Sequence, residues 1–144
     1  ITLYITTGFG RLRHLGVDID VAPAVKSLTR LDTWIDERYR EIVAQGHQED
    51  NHLSPTIALY LYGRSFFLDD QPIAPEHKEA NDYFLGQARK FWTALGCRQS
   101  QAHVAIALKR FGDKPTPQDI MKSLKEHSVT SEELGMILCP FSSK

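Results

Sequence analysis

The chain has 144 residues, 42% hydrophobic and 24% charged, a balance that suits one globular domain or a large part of one. Its 17 basic and 18 acidic residues leave a formal net charge of -1, so no cationic surplus exists to neutralise phosphates and nucleic-acid binding is disfavoured. The longest apolar run, Ile57–Tyr62, is too short to cross a bilayer, and no leader pattern precedes the first helix, so both ends read as cut from a longer polypeptide.

In chain order, two kinds of helix alternate. Thr2–Leu12 is apolar nearly all the way round, which predicts cover on every face; Gly16 follows it. Asp20 with Pro23 opens Val21–Val43, where Val21, Val25, Leu28, Leu31, Ile35, Tyr39 and Ile42 recur at helical spacing opposite Lys26, Arg30, Glu37, Arg40 and Glu41. That pattern describes an outer helix with one buried stripe, closed by Gly46. After the polar loop His47–His52, Ser54-Pro55 supplies an N-cap and a first-turn proline for a second all-apolar helix, Thr56–Leu68, in which Arg64 is the only charge. The turn-rich link Asp69–Pro75 leads into Glu76–Leu95, which buries Ala80, Tyr83, Phe84, Gln87 or Ala88, Phe91 and Leu95 and stops at Gly96. Ala102–Phe111 is the third inner helix, ended by Gly112; Thr116-Pro117 caps the third outer one, Pro117–His127, with Asp119 in its positive first turn. Only Gly135–Leu138 reads as a strand.

The expected fold is all-α: helical hairpins in two layers, a single domain over 1–144, with inner helices at about 2–15, 54–68 and 99–111 and outer helices at about 20–45, 76–95 and 116–127. Arg11, Arg64 and Arg110 recur roughly 50 residues apart at the ends of the inner helices, a period that suits a helical solenoid or a partial α/α toroid of about three hairpins. Such a partial ring leaves inner-helix surface uncovered, and exposed apolar area near the termini is expected.

Chemistry is sparse in this pattern. His47, Glu49, Asp50 and His52 crowd one loop but match no standard zinc spacing, and a solvated loop has the same composition. Arg11, Arg64 and Arg110 suggest an anion-binding ring; set against it, each arginine sits in a last helical turn, where cations suit the dipole and the free carbonyls. Tyr4, Tyr60 and Tyr62 read as core aromatics, and His103 as a core histidine with one hydrogen-bond partner. Glu76, Glu79 and Asp82 fit the start of a helix without any catalytic role. Cys97 and Cys139 are either one disulfide or two separate thiols. No catalytic, cofactor-binding or metal-ligating residue is assigned, and no cofactor is implied.

Three runs carry a family resemblance: Thr6-Thr7-Gly8-Phe9-Gly10-Arg11-Leu12, Ala58-Leu59-Tyr60-Leu61-Tyr62-Gly63-Arg64-Ser65-Phe66-Phe67, and Ser123-Leu124-Lys125-Glu126-His127-Ser128 followed by Ser131-Glu132-Glu133-Leu134-Gly135-Met136. From about Thr2 to Met136 the chain resembles the thioester-domain-like α/α toroid of bacterial alpha-2-macroglobulin-like proteins, especially the long ones of Bacteroides-type bacteria. The resemblance implies a fragment of a protease-trapping protein in the periplasm or cell envelope, with a scaffold and interaction role. Its implied partners are the rest of the parent chain and target proteases, together with self-association through uncovered inner helices. The family's thioester motif, Cys-x-Glu-Gln, is not met: Cys97-Arg98-Gln99-Ser100 places glutamine one position early, and Cys139-Pro140-Phe141-Ser142 has none. Two other readings are an α/α-toroid enzyme (a glycoside hydrolase or terpenoid-cyclase-like protein), which needs inward carboxylates, and a helical-repeat binding module with a concave groove.

Overall fold

A computed structural model describes residues 1–131 and 135–138 of the chain. Among the described residues there are six α-helices: α1 (Thr2–His14), α2 (Ala22–Gln45), α3 (Pro55–Ser65), α4 (Pro75–Phe91), α5 (Arg98–Arg110) and α6 (Pro115–Glu126). A two-stranded antiparallel hairpin follows, β1 (Ser128–Ser131) and β2 (Gly135–Leu138), with Ser128 opposite Leu138 and Ser131 opposite Gly135. The helical hairpins fall into two layers: α1, α3 and α5 lie side by side, α2 packs on α1 and α4, and α6 packs on α5.

Local chemistry explains most boundaries. Ser54 Oγ accepts the Ile57 amide at 3.2 Å with Pro55 in the first turn of α3, and Asp20 Oδ1 accepts the Ala22 amide at 2.9 Å ahead of α2. Gly46 ends α2 at φ 70, a left-handed conformation that costs glycine nothing. The sixth helix departs from expectation. It starts at Pro115, and the capping acceptor is Asp113, whose Oδ1 takes the Thr116 amide at 3.4 Å while its Oδ2 accepts from Arg89 at 2.7 Å. Pro115 rather than Pro117 therefore holds the first helical position, and Thr116 is an amide donor, not the cap. At the other end of α4 the α-helix gives way to one 3₁₀ turn, Trp92–Ala94, before Gly96.

The core lies between the layers. Leu31, Ile35 and Ile42 from α2, Ile57, Ala58, Tyr60 and Leu61 from α3, Ala80, Phe84 and Ala88 from α4, and Val104 and Leu108 from α5 form one cluster, joined by Ile120 and Leu124 of α6. The predicted stripes of α2 and α4 are the faces that supply it, and the charged face Lys26, Arg30, Glu37, Arg40 and Glu41 is exposed. The all-apolar reading holds best for α3, where Ile57, Ala58 and every residue from Tyr60 to Ser65 are buried.

It fails for α1. Only Thr6, Thr7 and Gly10 are buried there, while Tyr4 and Ile5 are 72% and 55% exposed. The reason is position: α1 stands at the edge of the inner row, with α3 on one flank and α2 behind. The same apolar composition that is flanked on both sides in α3 leaves α1 with an outward stripe. What closeness α1 has to α3 comes from missing side chains. A Cβ on Gly10 would lie 2.6 Å from the Phe66 ring, and one on Gly63 would overlap Thr7 Oγ1. The buried threonine hydroxyls are satisfied within the helix, Thr6 on the Thr2 carbonyl at 2.9 Å and Thr7 on the Leu3 carbonyl at 2.8 Å.

Candidate functional site

The three repeated arginines do not form a ring. Arg64 is 1% exposed and turns into the interlayer core, where its Nε donates to Asp32 Oδ1 at 3.0 Å and Oδ2 at 3.2 Å. Its other nitrogens donate to the Phe67 and Gln71 carbonyls at 3.4 and 2.6 Å. Tyr60 completes the network, donating to Asp32 Oδ1 at 2.7 Å, and burial beside that carboxylate raises its phenol well above 10.0. Arg11 points instead to the outer surface of the inner row. Arg110 lies at the C-terminal end of the row, over the Phe66 ring, and meets there an arginine the repeat did not single out. Arg13 grips both oxygens of Asp70 at 2.8 Å and donates to the Phe66 carbonyl at 2.8 Å. This pairing raises the Arg13 guanidinium and lowers the Asp70 carboxyl, each chiefly through their shared hydrogen bond.

The buried ion pair is a feature that composition alone hides. Its signal was present: Asp32 falls on the apolar stripe of α2 between Leu31 and Ile35, and α3 carries a lone arginine in an apolar helix. An acid and a base at such positions on neighbouring helices must neutralise each other or stay unburied.

A groove of about 350 Å³ crosses the outer face of the inner row, lined by Tyr4 and Arg11 of α1, Leu59 and Tyr62 of α3, and Cys97 and His103 at and within α5. His103 stacks on Tyr62, ring centroids 4.4 Å apart and nearly parallel at 14°. Burial, then the positive charge of Arg11, lowers its pKa from 6.5. Cys97 is exposed at the start of α5, and hydrogen bonds from the Ser100 and Gln99 amides and the Ser100 hydroxyl favour its thiolate, lowering its pKa from 9.0. The two do not make a nucleophile–base pair, because six positions along one helix separate them by about 9 Å of rise. Cys139 lies outside the described residues. Among the described residues lining the groove there is no Asp or Glu.

The state of His103 has a measurable consequence. Its folded pKa is below its unfolded value of 6.5, so on acidification the unfolded chain takes up this proton first. Stability from His103 is complete above pH about 6.5 and is lost as pH falls through the lower folded value. Urea midpoints at pH 7.5 and pH 5.0 should differ more for the wild type than for His103→Gln. Equal pH sensitivity in the two proteins would contradict a lowered pKa for the half-buried His103.

The histidine-rich loop is tied down by hydrogen bonds. His47 Nδ1 meets Asp50 Oδ2 at 2.8 Å and His52 Nε2 meets the His47 carbonyl at 2.7 Å. Buried Gln87 of α4 accepts the His52 amide at 2.7 Å and donates to the Asp50 carbonyl at 3.1 Å, pinning the loop to the outer layer. No group of three or more potential ligands converges among the described residues. Glu79 accepts from Tyr39 at 2.7 Å and Asp82 pairs with Lys78, so the acidic start of α4 is a set of separate surface contacts. The three tyrosines likewise part company: Tyr60 in the core, Tyr62 under His103, Tyr4 on the exposed rim of the groove. Among the described residues no helix is long and apolar enough to cross a membrane. Comparison with protein-family models, with curated proteins and with solved structures found no match for the chain.

Proposed function

We propose that the chain is a non-catalytic scaffold and interaction domain that works by helix packing within a larger assembly. The assembly implied by the resemblance is a bacterial alpha-2-macroglobulin-like protease-trapping protein of the periplasm or cell envelope. The observation that carries this reading is the edge position of α1. Ile1, Ile5 and Leu12 fall within about 40° of one another around that helix and all are exposed. Each inner helix meets the next side to side, so the free flank of α1 is shaped for one more helical hairpin of the parent chain. Covering that stripe gains about 25 cal/mol for each Å² of apolar surface removed from water. The two-layer alternation agrees with the toroid that the resemblance implies. A toroid enzyme has less support, since the groove lacks the paired carboxylates that glycoside hydrolysis uses.

The test is made in the parent protein. Deleting residues 1–144, or introducing Ile5→Lys with Leu12→Lys, should each abolish capture of an added protease. The double variant should leave the helical circular dichroism of the isolated chain unchanged, because both side chains are exposed. Full protease capture after the deletion overturns the role in trapping, and full capture by the double variant overturns the role of the α1 stripe.

A further inference from the structure

The C-terminal ends of α1, α3 and α5 enclose a second pocket of about 390 Å³, walled by Arg13, His14, Phe66, Leu68, Asp69 and Arg110. We propose that this pocket binds a carboxylate of a partner protein, an Asp or Glu side chain gripped in bidentate fashion by Arg110.

The argument starts from what each nearby cation already does. Arg64 is committed to Asp32 and two carbonyls, and Arg13 to Asp70 and the Phe66 carbonyl. Arg110 is different. Its Nη1 donates to Ser65 Oγ at 3.2 Å, and its Cζ sits 4.1 Å from the centroid of Phe66 and 6.0 Å from that of Tyr62. Among the described residues neither a carboxylate nor a backbone carbonyl accepts from it. An arginine that served only to cap a helix C-terminus would bond the last carbonyls; this one does not.

With Nη1 held and the guanidinium fixed over Phe66, the Nε–Nη2 edge is the unspent one. Two parallel N–H groups on that edge match the two oxygens of a carboxylate. The charge is also partly withdrawn from water, and this burial lowers the Arg110 pKa from its ordinary value, so an anion that neutralises it offsets a cost the fold already carries. The surroundings select for one negative charge. Asp70 is neutralised by Arg13, but Asp69 stands on the rim and three helix C-termini direct partial negative charge inward. A phosphate dianion meets that repulsion twice over, a carboxylate once.

The inference rests on the interaction-domain reading only in naming a protein as the source of the carboxylate. Its test is a titration of the ¹⁵N-labelled chain, following the Arg110 Nε–H resonance, with the blocked tripeptide Ac-Leu-Glu-Phe-amide. The glutamine counterpart and inorganic phosphate are run as separate arms. The glutamate peptide should shift that resonance saturably, with the glutamine peptide and phosphate binding at least tenfold more weakly. Arg110→Lys, which keeps the charge but not the fork and is followed through the Phe66 backbone amide in the pocket wall, should weaken binding at least tenfold; Arg13→Lys should change it less than twofold. An unmoved resonance, equal binding of the glutamine peptide or phosphate, or undiminished binding by Arg110→Lys overturns the proposal. Carboxylate binding by a chain whose deletion spares protease capture keeps the pocket and removes the scaffold role; the reverse result removes the pocket alone.

Discussion

Asp32→Ala should unfold this protein more readily than any other single truncation, costing about 3–5 kcal/mol. The substitution removes the acceptor of both Tyr60 and Arg64, and Arg64 has no route to water at 1% exposure. What remains is a guanidinium in the core with only the Phe67 and Gln71 carbonyls to hold it. Against a typical total stability of about 5–15 kcal/mol, that loss is about a fifth of the fold or more. The converse experiment separates the pair's worth from the cost of breaking it. The triple variant Asp32→Leu, Arg64→Met, Tyr60→Phe replaces the network with apolar groups and should recover most of the lost stability. Urea unfolding followed by the fluorescence of Trp34 and Trp92 measures both. A loss under about 1 kcal/mol for Asp32→Ala is the size expected of a surface ion pair and would rule out the buried network.

The second large effect is at the α1–α3 contact. Gly63→Ala places a methyl on the Thr7 hydroxyl, which is itself fixed to the Leu3 carbonyl, so the two helices must separate. The expected cost is about 1–3 kcal/mol. Thr7→Ala in the same chain removes the obstructing oxygen and should return most of it. Gly8 and Gly86 provide the opposite control, since a Cβ at either meets nothing within 4 Å. Replacing each by Ala should gain about 0.5–1 kcal/mol, the ordinary helical preference for Ala over Gly. If all three glycines respond alike, close helix approach is not what Gly63 provides.

Much of the architecture was legible in the residues. The charged face of α2 and the aromatic stripe of α4 each declare one buried side, and Ser54-Pro55 marks the start of α3 to the residue. Gly135–Leu138, the one segment that read as a strand, pairs with Ser128–Ser131. Other features depend on neighbours, which a one-dimensional pattern does not contain. Thr2–Leu12 and Thr56–Leu68 look alike in composition, yet α3 has helices on both sides and α1 on one. The arginine repeat does not predict which way each side chain turns: Arg11 turns out to the groove, Arg64 in to Asp32, and Arg110 across to Phe66. Asp32 was readable as an acid on an apolar stripe. Its consequence required knowing that α3 places Arg64 opposite.

The sparse interior of α1 sets how that helix behaves in time. Two threonines and a glycine are its only fully buried residues, and its large apolar contacts with the core, Leu3 and Phe9, are half-buried. Opening α1 therefore exposes less new apolar surface than opening α3, and its amides should exchange with solvent before those of α3, without unfolding the remainder. The segment most ready to detach is also the one that carries the stripe offered to a neighbour. Docking would then stiffen the molecule at its loosest point, and part of the binding energy would be spent on holding α1 still.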